Sequence, residues 1–170
     1  MEFIKITDAQ SDYSTKIFAS YSTTFPEDER RSLEQFQLLF KNKNIEITAL
    51  FLNENFVGYA IIWQLSGFNF MEHFEVFSEF RNQKLGSFVI QNISKKYPKL
   101  ILESEPENLN EDAKRRINFY ERNNFQILDK NYLQPAYSDG KNQLELWLMG
   151  NYLPENLDSV KGNIIKVVYQ

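Results

Sequence analysis

The 170-residue chain has no cysteine and only one histidine, His73. Without thiols there is no disulfide, no thiolate nucleophile and no Cys-rich zinc site. One imidazole leaves no multi-His metal centre and strains a Ser-His triad, so no metal is expected. Long apolar runs are missing too. No stretch approaches bilayer-spanning length, and Met1-Glu-Phe-Ile-Lys-Ile lacks the apolar core of a signal peptide. The expectation is a cytoplasmic protein with no membrane partner. A net charge of −4 supplies no broad field for nucleic acid. Lys95-Lys96 and Lys114-Arg115-Arg116 lie among acidic residues on predicted helices and read as solvated faces. No Gly-Lys-Ser/Thr phosphate loop occurs.

Aromatic side chains are plentiful, at 15% of residues within a hydrophobic share of 42%, and they are spread through the predicted elements. That composition describes a packed globule, and the length suits one domain over residues 1–170.

Phe3, Ile4 and Ile6 predict a short first strand, and Tyr13, Ile17 and Tyr21 a helix. Thr24-Phe-Pro26-Glu-Asp-Glu opens a second predicted helix with the buried stripe Leu33, Phe36, Leu39 and Phe40. Ile45 to Leu52 and Phe56 to Trp63 read as a hairpin around Asn53-Glu-Asn55, and Phe68 to Val76 as the next strand. Leu85, Phe88, Val89, Ile93 and Tyr97 share one stripe of a helix that Pro98 stops. Leu100-Ile-Leu102 begins another strand, and Asn108-Leu-Asn-Glu111 resembles a capping box. Phe125 to Leu128, extended toward Leu133, pairs with Leu144 to Met149. Leu157, Val160, Ile164, Val167 and Val168 give the tail a helical spacing that Gly162 weakens. The class is α/β.

Between Val76 and Ser87 a strand ends, turns and becomes a helix. Such a turn aims unpaired amides and the positive end of a helix dipole at one point, where a pyrophosphate can sit. Some thirty residues on, Arg115-Arg-Ile-Asn-Phe-Tyr120-Glu-Arg-Asn-Asn-Phe125 reads as helix, turn and strand. Together the two segments resemble the GCN5-related N-acetyltransferase (GNAT) superfamily. Arg81-Asn-Gln-Lys84-Leu-Gly86-Ser87 matches its Arg/Gln-x-x-Gly-x-Gly/Ala signature. Phe119-Tyr120-Glu-Arg-Asn-Asn124-Phe125 matches its Phe-Tyr-x-x-x-Gly-Phe pattern. Lys84 and Asn124 stand where the family has glycine, and Ala113 and Arg116 where it often has Asn and Ala.

The resemblance implies the GNAT fold: a mixed, mostly antiparallel sheet of six to seven strands, helices on both faces, the fourth and fifth strands splayed. It implies acetyl-CoA as co-substrate and direct transfer, in a ternary complex, to a primary amine of a small molecule or peptide. Backbone groups at Phe74 and Val76 are expected to hold the pantetheine arm. Arg81, Asn82, Gln83, Lys84, Leu85, Gly86 and Ser87 are expected to take the pyrophosphate. Tyr120 matches the tyrosine beside the thioester sulfur and is the expected proton donor, or else a core residue. Strand alternation sets Phe70, Glu72, Phe74 and Val76 on one face and Met71, His73 and Glu75 on the other. Glu72 is therefore the first candidate for the base, although a carboxylate there also suits a substrate ammonium or a neighbouring cation. A bulge brings His73 or Glu75 forward instead. Glu103 and Glu105 read as structural or substrate-orienting. Tyr132-Leu-Gln134-Pro135-Ala-Tyr137 reads either as an acceptor-pocket wall or as an edge strand broken by Pro. A CoA-binding module without catalysis, or transfer of a longer acyl group, fits the same motifs. Whether the protein is a monomer or a homodimer is left open.

Overall fold

The alternation between Phe68 and Val76 does fold as a strand, one of seven in a single sheet of the computed structural model, which describes residues 1–170. The strands are β1 (Glu2–Ile6), β2 (Ile45–Leu52), β3 (Asn55–Leu65), β4 (Phe68–Val76), β5 (Leu100–Ser104), β6 (Gln126–Gln134) and β7 (Leu144–Gly150). Their spatial order is β1-β2-β3-β4-β5-β7-β6, and only β4 and β5 run parallel. The β2–β3 turn places Asn53 and Glu54 at φ of 47° and 66°, the left-handed pair that a two-residue hairpin needs.

Helices α1 (Asp12–Thr24), α2 (Leu33–Leu39) and α5 (Leu157–Ile164) cover one face of the sheet. There Ile17, Tyr21, Phe36, Val160 and Ile164 meet inward strand residues such as Ile61 and Phe70. Helices α3 (Leu85–Lys96) and α4 (Glu111–Arg122) cover the other face, with Val89, Ile90, Ile93, Ile117 and Tyr120 over Ile62, Met71 and Leu102. Each such fully buried side chain contributes about 1.5–3 kcal/mol.

The structure corrects four of the local expectations. Residues Glu27–Glu29 form only a short 3-10 turn, and α2 starts after Ser32, whose hydroxyl completes a capping box with Gln35. Leu33 is consequently exposed rather than part of a buried stripe. Asn110, not Asn108, caps α4 by accepting from the Ala113 amide. On α3, Phe88 is exposed and Ile90 takes its place in the core. The tail runs past Gly162 as a helix and ends in a π-helical turn, Ile165–Tyr169, that buries Val168.

The fourth correction positions the site. Ile61 on β3 faces His73, but its neighbour Ile62 faces Met71, so Glu72 is an extra, bulged residue. The bulge resets the alternation. Glu72, His73 and Glu75 all contact groups on the α1 face, while Phe74 packs with the α3–α4 core. The expected grouping of Glu72 with Phe74 and Val76 therefore does not form, because a period of two survives only in an unbulged strand.

Candidate active site

Pairing of β4 with β5 ends at Met71 and Leu102. Past those residues the strands diverge and a cleft of about 700 Å³ opens between them. Phe77 gives its amide to the Val57 carbonyl on β3. Counting back along the strand, the backbone groups of Val76 and Phe74 face the opposite edge, the one β5 has left. The Val76 carbonyl is already taken by Arg81 Nε at 2.9 Å, which leaves the two amides and the Phe74 carbonyl on the open edge.

The turn into α3 lies at one end of this cleft, with Arg81, Asn82 and Gly86 among the lining residues. None of the amides from Asn82 to Ser87 donates to a protein acceptor, whereas the Arg81 amide bonds to Ser78 O at 3.2 Å. Lys84 precedes α3 at φ 61°. That left-handed backbone is what a glycine in this slot would supply, and it rules out ordinary helix for Lys84. Asn82 is left-handed as well, at φ 63°. Gly86 has a packing role: a Cβ there would sit 3.2 Å from the Phe119 ring of α4. Ser87 Oγ accepts from Asn123 Nδ2 at 3.1 Å, tying the same two helices together. Gln83 points back to the Glu79 carbonyl at 3.5 Å, and half-buried Leu85 opens the helix. Asn124 holds φ 66° after α4, so it replaces glycine without altering the turn.

Tyr120 also lines the cleft, its ring held between Phe119 and Phe125. Burial pushes its phenol up to about 12, with Arg116 pulling the other way. The group is thus a protonated donor at neutral pH, and its hydroxyl sits free of protein hydrogen bonds.

The bulge places Glu72 inside a set of donors. Its oxygens accept from Arg31 Nε at 2.9 Å, Trp63 Nε1 at 2.6 Å and the Tyr137 hydroxyl at 2.8 Å. Burial works to raise its pKa, but Arg31, His73 and these hydrogen bonds hold it below the usual carboxylate range. His73 is buried against Tyr21 and Phe25, with Nε2 3.2 Å from the Tyr21 hydroxyl and Nδ1 unpartnered. Burial lowers it to about 4, so it is neutral at physiological pH. Glu75 accepts from Ser20 and Thr24 on α1 and lies 3.7 Å from Arg81.

Two other carboxylates in the cleft, Glu103 and Glu29, form no ion pair. Glu103, on β5 just past the last paired residue, accepts from the Tyr169 hydroxyl at 2.6 Å through Oε2, while Oε1 has no partner. Burial pushes it up to about 7; the hydroxyls of Tyr132 and Tyr169 oppose the rise, and Glu72 and Glu29 add to it. Tyr132 is close enough to temper that charge but outside hydrogen-bond geometry. Glu29, in the 3-10 turn, is raised to about 7 by burial and by Glu105, against Arg116. Glu105 itself pairs with Arg116 at 2.7 Å.

The sequence motifs therefore converge on one cleft, together with His73, Glu103 and both ends of the Gln134–Tyr137 run. Sequence reasoning missed Arg31 and Glu29. A basic pair directly after three acidic residues was the only signal for Arg31, and Glu29 left none. Of the two readings of the aromatic run, the structure bears out the edge strand, since β6 is the sheet's edge and ends at Gln134 before Pro135, and beyond it the Tyr137 hydroxyl reaches Glu72 in the cleft. No group of three or more His, Asp or Glu side chains is arranged to hold a metal, and no helix is long and apolar enough to cross a membrane.

A family model, "Acetyltransferase (GNAT) family", matches residues 10–125. Among solved structures, a GNAT-family protein from Bacteroides thetaiotaomicron superposes with a TM-score of 0.91 at 26% identity, over 99% of this chain and 98% of that one. A GNAT acetyltransferase from Elizabethkingia anophelis, with acetyl-CoA bound, gives 0.61 at 16% identity over 89% and 97%. The Escherichia coli ribosomal-protein-S18-alanine N-acetyltransferase gives 0.61 at 17% over 91% and 98%. At those lower identities the likeness is one of fold. No curated protein matches the chain.

Proposed function

The chain belongs to the acetyltransferase (GNAT) family, and on that premise we propose that it transfers the acetyl group of acetyl-CoA directly to a primary amine. The observation that carries this is the open edge of β4. Unused amides at Phe74 and Val76 lie between a turn of unbonded amides at one end and the free Tyr120 hydroxyl in the same cleft.

The pyrophosphate sits on the amides of Asn82 to Ser87, where the α3 dipole adds to its stabilisation, and Arg81 and Lys84 contribute positive charge. Pantetheine continues along β4 as an added strand, meeting Phe74 and Val76. One of these amides polarises the thioester carbonyl as it gains negative charge. The amine loses its proton to a carboxylate and attacks the carbonyl carbon. The C–N bond forms, the C–S bond breaks, and Tyr120 protonates the departing thiolate. The net exchange is amine plus acetyl thioester to amide plus free thiol, with no covalent enzyme intermediate.

Glu103 suits the base better than Glu72. Its Oε1 is unpartnered and its pKa near 7 matches the working pH, whereas Glu72 is taken up by three donors and held ionised. Glu72 we assign to positioning: it ties Arg31 and Tyr137 to the bulge and so shapes the acceptor end. A cytoplasmic setting, where acetyl-CoA is available, fits this reading.

Calorimetry with CoA, followed by thiol release from acetyl-CoA over a panel of amines, tests the proposal. Micromolar CoA binding with amine-dependent thiol release is expected. Binding without turnover by any amine makes the chain a CoA-binding module, and faster turnover of longer acyl-CoAs reassigns the acyl group.

A further inference from the structure

Strand β2 reads Ile45-Glu-Ile-Thr-Ala-Leu-Phe-Leu52, apolar but for two alternate positions. Leu50 packs into the core under α3 and α4, so strand alternation sets Glu46 and Thr48 on that same face. Both are buried, at 8% and 6% exposure. Above them lies a cavity of about 240 Å³. Helix α3 borders it with Ile93, Lys96 and Tyr97, β1 borders it with Phe3, and Ala60 and Ile62 of β3 form an apolar floor. It shares no residue with the cleft between β4 and β5.

The polar end of this cavity is half satisfied. Glu46 Oε1 accepts from Thr48 Oγ1 at 3.2 Å and from the Lys96 ammonium. Oε2 takes no hydrogen bond from the protein, yet it is not sealed off, so it opens into the cavity. Burial works to raise the Glu46 pKa, but Lys96 and the nearby Tyr97 and Thr48 hydroxyls hold it below the usual carboxylate range. The open oxygen is therefore anionic at neutral pH. Buried acceptors of this kind nearly always hold a donor.

Size and charge narrow what can supply that donor. An apolar cavity of roughly 150 Å³ holds benzene, so this one takes a benzene ring with a substituent, or an indole. Lys96 already offsets the charge on Glu46, which leaves a second cation uncompensated, and an anion meets the carboxylate itself. The Phe3 and Tyr97 rings offer faces and edges to another aromatic.

We propose that this cavity is a second binding site, for a small neutral aromatic molecule whose single O–H or N–H donates to Glu46 Oε2. The site stands apart from the transfer reaction and does not depend on the acetyltransferase reading.

Phenol and indole are titrated into the protein with and without saturating CoA, with toluene, benzylamine and benzoate as controls, and followed by two-dimensional amide NMR. Shifts confined to β1, β2, β3 and the second half of α3 are expected, with a Kd of roughly 0.1–1 mM, the scale for so few atoms. Toluene has no donor and is expected to bind about tenfold more weakly or worse, and the two charged compounds likewise. Asn92→Trp, at a half-buried position on the α3 side of the cavity, fills it and abolishes phenol binding while CoA affinity stays the same. Glu46→Leu removes the acceptor and brings phenol down to the level of toluene. The comparison of phenol with toluene on the unaltered protein needs neither variant to fold. Absence of phenol and indole binding up to about 10 mM leaves the cavity to water and overturns the proposal. Equal binding of phenol and toluene, displacement by CoA, or a phenol affinity untouched by either substitution overturns it as well.

Discussion

Arg31 and Glu72 form an ion pair of 2.9 Å between the segment that leads into α2 and the bulge in β4, with side chains only 10% and 1% exposed. Arg31 also reaches the Val168 carbonyl in the C-terminal turn at 2.7 Å, and its ring neighbours are Trp63 and Tyr137. One guanidinium thus joins the segment before α2, the sheet and the tail.

Glu72→Gln leaves that buried cation without its counter-ion. The expected cost is about 3–5 kcal/mol, read as a fall in Tm or in urea midpoint. The folded pKa of Glu72 is depressed, so its contribution is complete above the unfolded carboxylate value of about 4.3 and is lost as pH falls through the lower folded value. The gap between wild type and Glu72→Gln should accordingly close in strong acid.

Glu103→Gln is expected to act in the opposite sense on stability. Its folded pKa of about 7 lies above the unfolded value, so the protonated form favours folding at low pH and the advantage is lost as pH rises through 7. At pH 8 the amide variant should melt roughly 3–6 °C above wild type, and at pH 4 the difference should vanish. Its kcat should be roughly 10²-fold lower or less, and the limb of the pH–rate profile near 7 should disappear. An unchanged limb would return the base role to another group.

Tyr120→Phe removes a proton donor with little change in packing, since the hydroxyl bonds to no protein group. A fall in kcat of about 10²-fold with CoA affinity unchanged is expected in steady-state and calorimetric measurements. Full activity would return Tyr120 to a purely core role between Phe119 and Phe125.

Lys84→Gly tests the left-handed residue before α3. Relief of its φ of 61° should stabilise the protein by about 0.5–1 kcal/mol, net of the extra freedom glycine has when unfolded. Weaker CoA binding in the same variant, most marked at low salt, would show that the ammonium also meets a phosphate.

His73 supplies an acid-side counterpart to Glu103. With a folded pKa of about 4 against about 6.5 unfolded, its neutral form favours folding above 6.5, and that contribution is lost as pH falls toward 4. Thermal melts of His73→Asn should be flatter than wild type over this window.

Much of this was written in local sequence. The Asn53–Glu54 turn, the strand from Phe68 to Val76, the turn into α3 and the helix carrying Tyr120 all follow from periodicity and turn chemistry, which act over a few residues. Tertiary structure alone decided the bulge at Glu72, because whether a strand keeps or skips a partner depends on how both strands pack, and β3 lies on the far side of a turn. That one skipped residue turned Glu72 toward Arg31 and Phe74 toward the other core. The gathering of Glu29 and Glu103 along one cleft was decided in the same way. Their separation in the chain carries no periodic signal, and only the closing of two layers around a splayed pair of strands brings them to the same cleft.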